Sequence, residues 1–424
     1  MLWVPVEKLF MSEIGFDAAA VGAVAAAYAA VVPIVEVPSG ILADRWSRRG
    51  VLIVASIALA LCALVGGLST DVPIYLVSTL FLGVFFAMHL GTLDAVVYDT
   101  VLEENGQSDA FEQRIGRVRL TESLSLVAGA LSGGWIASLT STRLTYFLTV
   151  PFAVLSVLTY RAFREPRLHR TGARTPLRRH LSVTYRTLTR RGRLLPVVTL
   201  TLLVSLLLQL IIEFGPLWLV ALGAPAILYG PYWAGLMSTF GLGGLLRGRI
   251  KLGNAHTAAT AATLMILAGL ALTATVSLPV VTIAQITLAL LLTIASTHVS
   301  RLLHDAVPSS VRTGVASGAG ALSWLVFIPI ALTFGLVSAE QGVHAAGRIL
   351  SVLTALTAGM LTWLAVNRRW TRPAEPDDRP PNTHTFGSAV PPAEPWPPPH
   401  ETAPGCGSGR RRPRSLPVGG GTRP

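Results

Sequence analysis

Glu7, Glu36, Asp94 and Glu213 are carboxylates set inside stretches of sequence that are otherwise almost wholly apolar. Glu213 lies near Gln209, Phe214 and Trp218. Asp94 follows Gly83, Ala87 and Gly91 at spacings of four, four and three residues. An ionisable side chain at membrane depth is costly to hold and is a functional candidate by default. Removal from water favours the neutral form of a carboxyl group, so such a residue can bind a cation or take up and release a proton. Glu213 and Asp94 are the first candidates for a proton or substrate site, with Glu36, Glu7 and Gln209 beside them. Each has a structural alternative. Glu213 can stand solvated near an interface. Asp94 can hydrogen-bond within a packed face, because the small residues before it favour close helix contact. Glu36, one turn from a basic loop, can interact with that loop's arginines. Glu7 and Lys8 are adjacent and project to different faces of a helix; at most one can face lipid cheaply, which points to a cavity lining. Phe81, Phe85 and Phe86 are candidates for an aromatic pocket, or for ordinary core and lipid-facing packing.

Other chemistry has no support in the sequence. There is no P-loop to hold a nucleotide, no nucleophile elbow and no His/Glu pair at helical spacing for zinc. Cys62 lies in an apolar stretch and Cys406 in a polar one, without a CxxC or Cys/His cluster, so neither a disulfide framework nor a metal site is expected. The chain is read as a non-enzyme with no cofactor and no metal.

The elements that must position these carboxylates follow from composition. Hydrophobic residues make up 51% of the 424 residues and charged residues 13%, against about 25% charged in a soluble domain. So few charges cannot cover a water-facing surface of this size. Apolar stretches near the ~20 residues needed to span a bilayer recur along the chain, and none alternates as a membrane strand would. The fold class is therefore all-α and polytopic. Spans are predicted at about 18–38, 51–68, 72–98, 119–138 and 144–163, and then at about 196–220, 227–247, 256–276, 279–303, 313–337 and 344–366. The first eleven residues read as part of a helix that rises only about 16 Å, half the hydrocarbon thickness, so the first helix is expected to be incomplete as given. This segment lacks the basic start and cleavage site of a signal peptide.

Charge assigns the sides. One set of loops holds Arg45, Arg48 and Arg49, then Arg114, Arg117 and Arg119, eleven arginines from Arg161 to Arg193, then Arg247, Arg249 and Lys251, then Arg301 and Arg312. The alternate loops hold little beyond Arg143 and Arg348. This asymmetry predicts that the arginine-rich loops, the linker at 164–195 and the tail at 367–424 are cytoplasmic. Half of the 28 prolines lie beyond residue 370, among Gly and Arg, and such a tail is expected to be disordered. The net charge of +12 is spent on short loops and not on a soluble basic face, which argues against a nucleic-acid partner. The Arg- and Ala-rich composition suggests a bacterial source and hence an inner (plasma) membrane location.

The two sets of spans repeat. At an offset of 208 residues Gly15 matches Gly223, Gly22 matches Gly230 and Gly40 matches Gly248; at 206, Tyr98-Asp99-Thr100-Val101 resembles His304-Asp305-Ala306-Val307. Two similar halves joined by a basic linker suggest a transporter of parallel repeats. The boundaries are an N-terminal bundle at 1–163, the linker, a C-terminal bundle at 196–366 and the tail.

Between the second and third helices stands Gly40-Ile41-Leu42-Ala43-Asp44-Arg45-Trp46-Ser47-Arg48-Arg49. It resembles the G-x-x-x-D-R-x-x-R-R loop of the major facilitator superfamily. Pro308-Ser309-Ser310-Val311-Arg312-Thr313-Gly314 resembles that superfamily's loop before helix eleven, and Glu36-Val37-Pro38-Ser39-Gly40 a variant common in its drug-exporter-like branches. The resemblance covers residues 1 to 366. It implies two six-helix bundles, a cavity lined by the first and seventh helices, and alternating access with Gly40, Asp44, Arg45, Arg48, Arg49 and Asp99 as a conformational gate. Gly40 is expected to let two helices approach closely, Asp44 to accept from amides or an arginine, and Asp99 to pair with Arg45 or Arg48. The sequence departs from the family where the mid-helix-four arginine is absent, where no proline follows Gly129, Gly133 and Gly134, and where Leu252 replaces a second Asp44. The expected function is secondary transport of small molecules by a monomer in the lipid bilayer, as proton-coupled efflux (antiport) of drug-like or amphipathic compounds. Uptake or facilitated diffusion of a metabolite, and a non-transporting membrane sensor, are the alternatives.

Overall fold

The structure, a computed structural model, describes residues 1–105, 111–164, 195–246, 250–306 and 312–367. A 3-10 turn at Val4–Val6 leads into α1 (Glu7–Glu13). The first half continues with α2 (Ala18–Arg45), α3 (Arg48–Leu68), α4 (Val72–Asn105), α5 (Phe111–Leu139) and α6 (Thr142–Ala162). The second half comprises α7 (Leu195–Phe214) and its short continuation α8 (Pro216–Ala221), then α9 (Ala226–Leu246), α10 (Ala255–Ala274), α11 (Leu278–Ala306), α12 (Arg312–Gln341) and α13 (Val343–Val366). The protein is all-α and polytopic, as its composition predicts. Among the described residues nine helices are long and apolar enough to cross a membrane. Their outward faces carry Ile34, Phe152, Leu155, Ile283 and Val352 exposed, the pattern of a surface solvated by lipid. Most of the linker and tail expected at 164–195 and 367–424 lies outside the described residues.

Local chemistry sets the helix starts. The Asp17 carboxylate accepts from the Ala20 amide at 2.7 Å, the Ser47 hydroxyl from Gly50 at 2.9 Å and Asp71 from Ile74 at 3.0 Å. Each satisfies an amide that the first helical turn leaves free. The repeat pair Gly15 and Gly223 marks equivalent turns, with φ of 89° and 66°, the left-handed region that glycine enters without strain. Arg143, one of the few cations on the arginine-poor side, donates to the carbonyls of Gly67 at 3.0 Å and Ser69 at 2.9 Å, satisfying acceptors at the end of α3.

The halves mirror one another. In the first, α3 packs on α4 and α6, and α2 on α4; in the second, α10 packs on α11 and α13, and α9 on α11. The two most extensive helix crossings between the halves, among the described residues, are α2 with α12 and α5 with α9. Both are built on glycine. A Cβ on Gly22 would lie 2.7 Å from the Ala331 carbonyl and 2.9 Å from the Gly335 Cα; one on Gly134 would lie 2.6 Å from the Gly230 amide nitrogen. Both crossings sit near the ends of their helices away from Arg45, Arg48 and Arg312. Gly22 and Gly230, matched by the repeat, thus do the same work in the two halves. Gly40 does not: a Cβ there would meet nothing within 4 Å. The close approach expected at Gly40 is absent in this conformation; α2 and α4 approach instead at Gly83, whose Cβ would lie 2.8 Å from Val31.

Candidate functional site

A cavity of about 460 Å³ lies between the halves. Trp3, Tyr28, Phe86, Trp233, Phe240 and Trp324 contribute six aromatic rings to its wall, and Glu7, Gln209 and Glu213 its strongest polar groups. Tyr28 of α2 and Trp324 of α12 meet edge to face across the halves, with centroids 5.4 Å apart. Aromatic walls with a few placed polar groups are the usual lining of a small-molecule site.

The polar groups converge on one cation. The Lys8 ammonium stands 3.3 Å from Glu7 Oε2 and donates to Glu213 Oε1. This joins α1 of the first half to α7 of the second. Its side chain is 2% exposed, and those of Glu7 and Glu213 are 14% and 21% exposed. Two carboxylates around one ammonium leave a formal charge of minus one in low dielectric, where such pairs are held firmly only if their remaining hydrogen-bonding groups are met. Glu7 has a second partner: the Tyr75 hydroxyl donates to its Oε1 at 2.8 Å. Tyr75 and Tyr146 share a hydrogen bond at 2.9 Å, and Tyr146 stacks on Trp3 at 4.9 Å. Small residues make room for this cluster, since a Cβ on Gly66 would lie 2.7 Å from the Tyr146 ring.

Glu213 is aimed by a break in its helix. Pro216 has no N–H to continue the α7 ladder, so the chain starts again as α8. The Gly215 carbonyl at the break accepts from Gln285 Nε2 at 3.3 Å, and Gln285 Oε1 accepts from the Tyr232 hydroxyl at 2.6 Å. Trp218 anchors the continuation by donating to the Leu272 carbonyl at 3.1 Å.

Of the residues that the sequence singles out, Glu7, Gln209, Glu213 and Phe86 meet in the cavity. Glu36 is exposed on α2 and is not among the cavity residues. Phe85 stacks on His89 at 5.0 Å, and Phe81 packs against the core. The side chains of Asp44, Arg45, Asp94 and Asp99 lie outside the described residues. Arg48 donates to the Ala95 carbonyl at 2.9 Å and Arg49 to the Phe163 carbonyl at 3.3 Å, which ties the basic loop to α4 and to the end of α6. Sequence reasoning missed the central place of Lys8, though its adjacency to Glu7 was the available signal. Tyr28, Trp233, Phe240 and Trp324 carried no signal, because an aromatic in an apolar helix reads equally as core. Among the described residues no three His, Cys, Asp or Glu side chains stand together as a metal site.

Residues 1–332 match the family model described as Major Facilitator Superfamily. A curated relative, multidrug resistance protein 2 of Bacillus subtilis (strain 168), is 28% identical over 159 residues, 37% of this chain and 38% of that protein. The match therefore spans little more than a third of that relative's length. Among solved structures, a bacterial homolog of the human lysosomal transporter Spinster, inward-facing and unoccupied, is similar with a TM-score of 0.69 at 15% identity, covering 88% of this chain and 95% of that one. The nucleoside transporter NupG gives a TM-score of 0.66 at 15% identity, covering 87% and 94%. At these identities the structural likeness concerns the fold alone.

Proposed function

The chain belongs to the Major Facilitator Superfamily of secondary transporters, and from that premise we propose that it exports drug-like or amphipathic small molecules in exchange for protons. The observation that carries this reading is the pair of cavity carboxylates, Glu7 and Glu213, closed on Lys8 beneath a wall of aromatic rings. A proton taken up by one carboxylate changes the charge of the cavity, and that change can be traded against substrate. Aromatic rings bind flat apolar groups without demanding one shape. The partial match to a multidrug resistance protein points in the same direction. Asp94 remains a second proposed proton or substrate residue. Gly40, Asp44, Arg45, Arg48, Arg49 and Asp99 are proposed as the gate, a charged contact that forms in one conformation and breaks in the other. The protein is proposed to act as a monomer in the bacterial plasma membrane.

Counterflow and gradient-driven uptake in proteoliposomes, with a panel of amphipathic compounds, test the reading. The native protein should be stimulated by an imposed pH gradient. Glu213→Gln, and Asp94→Asn if Asp94 shares the role, should lose that stimulation. A native protein indifferent to the gradient would leave facilitated diffusion as the mode of transport. Native stimulation retained by both variants would place the proton elsewhere.

The arginine-bearing ends are proposed to be cytoplasmic, from the positive-inside bias. A reporter active only outside the cytoplasm, fused after residue 179 or after the last residue, should be silent. Strong activity at either junction would reverse the orientation.

A further inference from the structure

Lys8 separates two cavities. Glu7 and Glu213, which hold its ammonium, line the aromatic cavity. The Lys8 side chain itself lines a second cavity of about 210 Å³ at the arginine-poor end. That second space is enclosed by the end of α1, the start of α2, α8 and the junction of α12 with α13. Its polar groups are Lys8, Ser12, Asp17 and Ser338. Ser12 donates to the Leu9 carbonyl at 2.7 Å, and Asp17 accepts from Ala20. Ser338 is 7% exposed, and its hydroxyl has no hydrogen-bond partner among the described residues. A buried hydroxyl without a protein partner is costly unless solvent or a ligand meets it, and a chamber of this volume has room for several waters at about 30 Å³ each, with Lys8, Ser12, Asp17 and Ser338 as polar partners in an otherwise apolar wall.

The groups that face Lys8 are few. Glu7 comes from α1, with Tyr75 of α4 behind it, and Glu213 comes from α7. Asp17, before α2, shares the outer chamber, while α8 and the start of α13 bring it only apolar residues and Gly342, and α12 adds Ser338. Among the described residues, Lys8 is therefore the titratable group that lines the outer chamber and also touches the carboxylates of the inner cavity.

We propose that Lys8 is a proton relay between the outer chamber and Glu213, so that the coupling proton reaches the transport cavity while the halves stay in contact at this end. The proposal rests on the proton-coupled reading above. The Lys8 ammonium passes one proton to the Glu213 carboxylate, which leaves a neutral amine and a neutral acid. The amine then takes a proton from a hydronium ion in the outer chamber, which becomes water. The net result is one proton carried from the chamber to Glu213, with Lys8 again an ammonium paired with the Glu7 carboxylate. Glu7 keeps the Tyr75 hydroxyl as a further partner, and the proposal places the changing charge on Glu213.

Arginine discriminates the relay from a structural ion pair. Lys8→Arg keeps the positive charge but cannot release its proton in a protein. In proteoliposomes the readout is transport with an imposed pH gradient divided by transport without one. The native chain should be stimulated and Lys8→Arg should lose the stimulation entirely. A Lys8→Arg variant as strongly stimulated as the native chain overturns the relay and leaves proton coupling standing. A native chain without stimulation overturns both. A second measurement does not depend on that variant folding. Ser338→Cys, with Cys406→Ser, should react with a membrane-impermeant thiol reagent added on the arginine-poor side, above the background of Cys406→Ser alone. No reaction there would close the outer chamber to its own side of the membrane and overturn the relay.

Discussion

Gly22→Ala and Gly335→Ala are each expected to slow transport about tenfold or more, because overpacking a close contact costs about 1–3 kcal/mol and 1.4 kcal/mol is a factor of ten. The cost is expected to fall on the conformation in which these helices touch. At the α2–α12 crossing a methyl group on Gly22 would stand 2.7 Å from the Ala331 carbonyl, and one on Gly335 would stand 2.8 Å from the Ala18 carbonyl. Both obstacles are backbone, so no rotamer change relieves them. The helices must separate, which disfavours the state in which this end is closed and depopulates one half of an alternating cycle. Gly134→Ala and Gly230→Ala at the pseudo-equivalent α5–α9 crossing should act alike. Gly241→Ala and Gly320→Ala are the controls, since a Cβ at either meets nothing within 4 Å. Initial transport rates at matched protein amounts, with thermal melting in detergent to exclude misfolding, measure the effect. Crossing variants that transport at the rate of the controls would mean that these contacts do not close a gate.

These crossings also show what a sequence makes legible. Most helix boundaries followed hydropathy to within a few residues, because lipid as solvent leaves the backbone no alternative to closing its own hydrogen bonds, but α2, α4 and α5 run seven or eight residues past the predicted spans at their arginine-bearing ends. The repeat offset paired Gly22 with Gly230 and Gly15 with Gly223, and each pair shares a structural role. The partner glycines Gly335 and Gly134 were not legible as partners, since contacts between halves link residues hundreds of positions apart with no periodic signature. Gly40 carried the strongest motif signal, yet it lies open in this conformation. A motif that serves a cycle need not be engaged in each of its states. For the site, intramembrane charge singled out Glu7 and Glu213, which the structure brings to one cavity, because burying a carboxylate needs a reason. Lys8 was harder. Its position beside Glu7 shows only that two opposite charges point different ways. That Glu213 approaches from the other half is a fact of assembly, which only the packed structure carries.

Neutralising both cavity carboxylates is expected to destabilise the protein by about 3–5 kcal/mol, the usual cost of removing the partners of a buried charge. Lys8 is 2% exposed, so Glu7→Gln with Glu213→Gln leaves a nearly buried ammonium without either of its counter-charges. The single variants should cost far less, because each leaves one carboxylate against one ammonium and a pair of zero net charge. The effect is therefore strongly non-additive, as expected of groups in one network. Adding Lys8→Met to the double variant should recover most of the loss by removing the stranded charge. Thermal unfolding and monodispersity in detergent across the singles, the double and the triple measure the series. A double variant that melts with the native protein would mean that the carboxylates do not hold Lys8 in place. The same electrostatics constrain the transport cycle. A state with both Glu7 and Glu213 protonated and Lys8 still charged is the state that the double variant imitates, and it should be avoided at every step. On the proposed mechanism one of the two carboxylates stays ionised throughout, and Glu7, which also accepts from the Tyr75 hydroxyl at 2.8 Å, is the one proposed. If Glu213 carries the coupling proton as proposed, the site is expected to carry one proton per cycle while α1 and α7 remain bridged.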